Sequence, residues 1–245
     1  MRITVLGGSG AFPTATQGCS GYLIEHEGVR VLLDPGYATM PKLLEYLPAE
    51  RLDAVLVTHG HPDHCADLNP LLRARALSDD PPPALPVYAL PGALDAVLAL
   101  DGPGTLASAY TLHELGDRFE VGPFRVATED LPHFVPNAGL RLTAAGVALA
   151  YTGDTGPSPA VVELARGADL LLAEATYLDE VPTAWAHALS SARQAGRYAA
   201  EAGVARLVLT HLWPGGDPGA ARATAAAGFD GEISTAHPGL TVTLG

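Results

Sequence analysis

The chain has 245 residues, 48% of them apolar, enough to bury a sizeable core as a single domain over 1–245. It carries 27 acidic against 14 basic residues, a net charge of −13, with Lys42 as its only lysine and no cluster of basic residues. That balance disfavours gripping a large RNA by its phosphates, and no apolar run reaches the ~18 residues of a membrane span.

Arg2–Leu6 reads as a strand from the outset, so no signal peptide is expected. Gly7-Gly8-Ser9-Gly10 follows. It lacks the Gly-Lys-Ser/Thr ending of a nucleotide loop and reads as a tight turn. Cys19–Glu25 and Val29–Asp34 are two further strands, joined by a hairpin turn at His26-Glu27-Gly28. Cys19 and Cys65 are too few for a disulfide framework and read as small buried residues in a reduced, cytoplasmic protein. Pro41–Leu47 is expected to form a short helix.

Leu52–Thr58 is the next strand, built on the apolar run Ala54-Val55-Leu56-Val57. It opens directly into His59-Gly60-His61-Pro62-Asp63-His64, which places four ligand-type side chains within six residues. In extended chain His59 and His61 point to one side, because side chains alternate with period two. Asp63 and His64 then face a neighbouring place, so one stretch can serve two adjacent metals. Pro62 suits the first turn of a helix, expected over Pro62–Ala76 with Leu68, Leu71 and Leu72 on one face.

Asp79-Asp80-Pro81-Pro82-Pro83 is a loop. Val87–Leu90 reads as a strand and Gly92–Leu100 as a helix. Phe119–Thr128 gives two short strands around Gly122-Pro123, and Leu140–Thr143 pairs with Val147–Thr152 around Ala145-Gly146. Helices over Pro159–Arg166, Ser190–Ala202 and Ala220–Ala226 alternate with strands over Asp169–Ala173 and Arg206–Thr210. Glu232-Ile233-Ser234 and Leu240–Leu244 close the chain as strands. Taken alone, this order supports an α/β fold. His133, Asp154 and His211 each follow an apolar strand where the chain turns, and they offer the further donors that a two-metal site requires. His26 reads as solvated, His113 has no ligand pattern around it, and His237 reads as structural.

The stretch His59 to His64 resembles the His-x-His-x-Asp-His signature of the metallo-β-lactamase superfamily. His61 at the middle position, where di-iron redox members carry Glu, is similar to the zinc-type hydrolases. The resemblance implies a four-layer αββα sandwich. It implies that His59, His61 and His133 hold one metal, that Asp63, His64 and His211 hold a second, and that Asp154 bridges them, with a bridging water or hydroxide as nucleophile. It makes Asp34 a structural prop beside the site. Two divalent ions follow as cofactors, zinc first and manganese as the alternative.

Gly8-Ser9-Gly10-Ala11-Phe12-Pro13, Thr152-Gly153-Asp154-Thr155, Glu174-Ala175-Thr176-Tyr177, Arg206 to His211 and Phe229-Asp230-Gly231-Glu232 resemble the ribonuclease Z-like branch. The catalytic set so implied is Asp63, Glu174 and His187, the last two as a Glu-His pair that protonates the leaving group. His187 stands about one residue out of register with the branch's histidine, and the alternative places it in a loop facing water with Ser190 capping the next helix. The tRNA-clamping arm of that branch is often inserted between the bridging Asp and the last His, but here Asp154 to Glu174 is compact. The expected activity is therefore hydrolysis of a small or cyclic phosphodiester. The alternatives are a tRNA 3′-endonuclease, a lactonase, thioesterase or β-lactamase-like hydrolase, or a non-enzymatic metal sensor. No membrane partner is expected, and a homodimer is left open.

Overall fold

The computed structural model describes residues 1–245 and sorts their strands into two seven-stranded mixed sheets. The first comprises β1 (Arg2–Gly7), β2 (Gly21–His26), β3 (Val29–Leu33), β4 (Ala54–Leu56), β5 (Leu85–Ala89), β6 (Tyr110–Glu114) and β14 (Thr241–Thr243). Their order is β14-β1-β2-β3-β4-β5-β6. The second comprises β7 (Arg118–Val121), β8 (Phe124–Leu131), β9 (Asn137–Ala144), β10 (Val147–Tyr151), β11 (Leu170–Glu174), β12 (Arg206–Thr210) and β13 (Glu232–Thr235). Their order is β13-β12-β11-β10-β9-β8-β7. Strands β3 to β6 are mutually parallel, as are β10 to β13, and the remaining pairs are antiparallel, all between consecutive strands except β1 with β14.

Alternation along each strand sets the layers. Val31 and Leu33 face the other sheet while Leu32 faces outward. The central layer packs Ile3, Tyr22, Leu33 and Leu56 from the first sheet against Phe124, Leu140, Leu149 and Leu172 from the second. Full burial of each such side chain contributes roughly 1.5–3 kcal/mol. The outer face of the first sheet is covered by α1 (Met40–Leu43), α2 (Pro62–Cys65), α3 (Leu68–Ala76) and α4 (Asp95–Leu98). The outer face of the second is covered by α5 (Pro159–Ala165), α6 (Ala192–Ala202) and α7 (Pro218–Ala226). The architecture is the αββα sandwich.

Several elements differ from the sequence expectation. The helix over Pro62–Ala76 is two helices, parted at Ala66-Asp67. Pro70 has no N–H to return to the Ala66 carbonyl, and the Asp67 N–H leaves the helical ladder for the Pro35 carbonyl at 2.8 Å. The helices expected over Pro41–Leu47 and Gly92–Leu100 shrink to one turn each. The helix expected from Ser190 starts at Ala192, with Ser191 as its N-cap and a reciprocal bond from Gln194 completing a capping box. Strand β6 carried no sequence signal, because its Thr-Leu-His-Glu residues lie exposed at the sheet edge. No helix is long and apolar enough to cross a membrane.

Candidate metal centre

Four segments converge just beyond strand ends: His59 to His64 after β4, His133 after β8, Asp154 after β10 and His211 after β12. All seven sequence-expected ligand side chains come together. Their donor atoms fall into two groups, His59, His61, His133 and Asp154, and Asp63, His64, Asp154 and His211. Within each group every donor lies within 4.8 Å of the others, and Asp154 belongs to both.

Hydrogen bonds fix which nitrogen each imidazole turns inward. The Thr58 hydroxyl donates to Asp34 Oδ2 at 2.7 Å and so accepts from His59 Nδ1 at 3.1 Å. His64 Nδ1 donates to Asp34 Oδ2 at 2.8 Å. His133 Nδ1 donates to the Ala188 carbonyl at 2.8 Å. The Thr176 hydroxyl donates to Glu174 Oε1 at 2.7 Å and accepts from His211 Nδ1 at 2.8 Å. Each of these four rings therefore presents Nε2 to the centre, a common way of orienting metal-binding histidines. His61 differs, with its Nδ1 3.2 Å from His59 Nε2 and 3.0 Å from His133 Nε2.

The backbone is shaped to allow this approach. His211 has φ +55°, an uncommon conformation for a residue with a side chain, and it turns the ring off the end of β12. A Cβ on Gly10 would lie 2.8 Å from that ring, so only glycine passes there. The Gly7-to-Gly10 segment is thus a buttress. Gly10 N–H donates to the Leu212 carbonyl at 3.0 Å, and Ala11 N–H donates to Asp63 Oδ2 at 2.8 Å.

The electrostatics follow from burial and charge. Burial holds His61 and His133 below the ordinary imidazole value, and burial with the His64 charge holds His59 well below it. His64 is held well above it: burial opposes the charge, but the Asp154 charge and the hydrogen bond to Asp34 outweigh it. His211 is raised likewise, by Asp154 and Asp63 against burial. Asp154 stays well below the usual carboxylate range, because His211 and His64 outweigh its burial. Asp63 is lowered for the same reason, through His211 and His64. Burial pushes the Glu174 carboxyl up to about 8, with the Asp154 charge adding to it.

Two buried atoms at the heart of the cluster, His64 Nε2 and Asp154 Oδ1, have no hydrogen-bond partner although they lie 3.1 Å apart. Leaving such atoms unsatisfied ordinarily costs roughly 1–3 kcal/mol. A divalent cation satisfies both, and imidazole with carboxylate is a donor set that suits one.

The remaining sequence-expected residues fall differently. Asp34 is fully buried behind the centre and belongs to neither donor group. Thr58, Tyr151 and His64 all donate to its carboxylate. The Glu174–His187 pair is not formed. Glu174 is buried, and its oxygens accept from Thr155 N–H, Ser190 N–H and the Thr176 hydroxyl. His187 lies in an exposed turn, its ring 5.6 Å from that of Phe134. Cys19 and Cys65 are buried, burial pushes both thiols up to about 12, and neither belongs to the donor groups. His26, His113 and His237 also stand outside them, and His237 is exposed. Sequence reasoning missed Thr58 and Thr176. The alternation of Glu174 and Thr176, which puts both on one face, was the available signal for the second.

The centre opens into a cleft of about 440 Å³, walled by Pro62, Phe134, Trp185, Leu189 and Trp213 above the metal-ligating side chains. No Lys or Arg lines it.

Comparison with known proteins gives a consistent picture. Residues 29–212 match the model of the Beta-lactamase superfamily domain. The chain is 32% identical to the probable metallo-hydrolase YhfI of Bacillus subtilis over 98% of each chain. The crystal structure of that metallo-beta-lactamase fold protein superposes with a TM-score of 0.89 and 31% identity over 99% of each chain. Ribonuclease Z of Kineococcus radiotolerans is 33% identical over 86% of this chain and 83% of its own.

Proposed function

This chain belongs to the beta-lactamase superfamily, and from that premise we propose that it is a binuclear metal-dependent phosphodiesterase acting on a small or cyclic phosphodiester. The observation that carries the proposal is the pairing of two four-donor groups on one shared carboxylate, Asp154, under a cleft of about 440 Å³. Divalent cations there, zinc by donor chemistry or manganese as the alternative, supply activated water and offset charge on the phosphoryl oxygens.

The chain's own residues do the positioning. Thr58, Asp34, Ala188 and Thr176 hold imidazole tautomers, so the donors are set before substrate arrives. Asp63 is held by Ala11 N–H and His211, which leaves its carboxylate aimed at the cleft floor. Glu174 acts through Thr176 as a positioning residue. His187, whose ring lies 5.6 Å from that of Phe134 on the cleft wall, stands outside both donor groups and is assigned the proton transfer to the leaving oxygen.

A small monoanionic diester suits the cleft better than a polyanion, since no cationic side chain lines it and the chain carries a net −13. The 33% identity to a ribonuclease Z supports diester chemistry over acyl transfer. The same identity favours tRNA 3′ processing as the second reading. Against it, only α5 and short turns lie between Asp154 and β11, and residues 175–191 between β11 and α6 carry no Lys or Arg with which to clamp an RNA. The test is a rate comparison on zinc-loaded protein among bis(p-nitrophenyl) phosphate, p-nitrophenyl phosphate, a thioester, a lactone and precursor tRNA. The diester should be cleaved fastest among the small substrates, and precursor tRNA should not be cut. Faster turnover of the thioester or lactone than of every diester tried overturns the assignment.

A further inference from the structure

The chain is poor in aromatic residues, at 6%, and has only two tryptophans. Both line the metal cleft, and both are well exposed, Trp185 at 41% and Trp213 at 43%. Phe134, 49% exposed, forms a third wall. Phe12, the only other exposed Phe or Trp in the chain, packs edge-on against Trp213 with ring centroids 6.2 Å apart. Three of the four exposed Phe and Trp residues thus line one opening, and the fourth packs on one of the three. Exposed apolar side chains scattered singly are ordinary, but a cluster of aromatic rings around a polar floor marks a ligand site.

Two of the rings ride on loops that carry the metal donors, and the third on a loop that orients one of them. Phe134 follows His133 directly, and Trp213 lies two residues beyond His211. Trp185 sits in the turn whose Ala188 carbonyl holds His133, and its ring is backed by Tyr177 at 6.3 Å. The aromatic walls are therefore placed at a set distance from the donor groups, as a site that reads one substrate group beside another requires.

Building on the phosphodiesterase reading above, we infer that Trp185, Trp213 and Phe134 form a stacking cradle for the planar base of a mononucleotide-sized phosphodiester whose phosphate lies at the metal donors. Tryptophan stacks on any base through its π-face, and such contacts need no charge from the protein. A cleft of about 440 Å³ holds one base with its sugar phosphate and not a polynucleotide. The absence of Lys and Arg from its lining selects a single negative charge over the several of a polyphosphate. The cradle makes base-bearing diesters better ligands than baseless ones of equal charge.

Because the only two tryptophans are in the cradle, intrinsic tryptophan emission of the metal-loaded protein reads the proposal directly. The probes are adenosine 3′,5′-cyclic monophosphate, its 2′,3′-cyclic isomer, adenosine and dimethyl phosphate. The three base-bearing probes should quench the emission and dimethyl phosphate should not, with the two isomers distinguishing which cyclic diester fits. Trp185→Ala and Trp213→Ala should each bind the better cyclic nucleotide roughly 5- to 150-fold more weakly, and Trp185→Phe should recover most of that loss. Both tryptophans are exposed, so circular dichroism of the variants should match the native chain. Quenching by dimethyl phosphate equal to that by the nucleotides overturns the cradle, as does native affinity in both alanine variants. Hydrolysis of bis(p-nitrophenyl) phosphate without any quenching by nucleotides removes the cradle and leaves the phosphodiesterase reading standing. Quenching without hydrolysis of any diester does the reverse.

Discussion

Asp34 Oδ2 accepts the Nδ1–H of His64 at 2.8 Å and, 2.7 Å away, the hydroxyl of Thr58, which in turn holds His59. One buried carboxylate outside both donor groups thus orients an imidazole in each. Asp34 has φ +47°, a conformation that Asn tolerates well, so Asp34→Asn removes the charge with little change to the backbone. The variant should lose roughly 10- to 100-fold in metal affinity, the usual worth of such outer partners. Competition with a chromophoric chelator measures this. Unchanged affinity would show that the carboxylate does not tune the ligands.

The second orienting chain runs from Glu174 through Thr176 to His211. Thr176→Val removes the acceptor of His211 Nδ1 and one donor to Glu174. It should weaken the group of Asp63, His64 and His211 by roughly 10- to 100-fold. Thr176→Ser keeps the hydroxyl and should retain near-native affinity. Equal metal affinity in the two variants would remove Thr176 from this role.

Metal uptake should release protons. His64 and His211 are held above the ordinary imidazole value by Asp154 and its neighbours, so in the metal-free protein they keep their protons to higher pH than a free imidazole does. A cation must displace them, and its apparent affinity should therefore rise with pH through their titration. Calorimetric zinc titrations in two buffers of different ionisation enthalpy give the number released. Heats independent of the buffer would mean that both rings are already neutral.

His187→Ala tests the proton transfer. Loss of a general acid ordinarily costs roughly 10²- to 10⁴-fold in kcat. The loss should be large for an alkoxide leaving group and small for p-nitrophenolate, with metal content unchanged. An equal loss on both substrates, or none, would exclude His187.

Much of the site was legible because its densest part is contiguous. His59, His61, Asp63 and His64 follow one buried strand, so alternation alone suggests two neighbouring metal positions. His133, Asp154 and His211 lie far apart in sequence and gained meaning only from a family pattern. Thr58 and Thr176 stayed hidden, because their role depends on which ring reaches them across the fold. Gly10 reads as a turn residue, while its use is to let His211 pass. The Glu174–His187 pairing failed for a similar reason. Residue order suggested proximity, but Ser190 N–H and the Thr176 hydroxyl take up one Glu174 oxygen while His187 lies exposed beside Phe134. In the fold, β6 was lost because an exposed edge strand lacks apolar alternation, and the helix break before Leu68 needed Pro35 as an outside partner.

The central claim, two metals held on one shared carboxylate, is tested most directly by elemental analysis of zinc-equilibrated protein beside its Asp154→Ala variant. Asp154 is the only side chain in both donor groups. The native chain should hold two zinc ions per molecule, and the variant one or none. A native stoichiometry that stays at one under metal-replete conditions would contradict the binuclear centre.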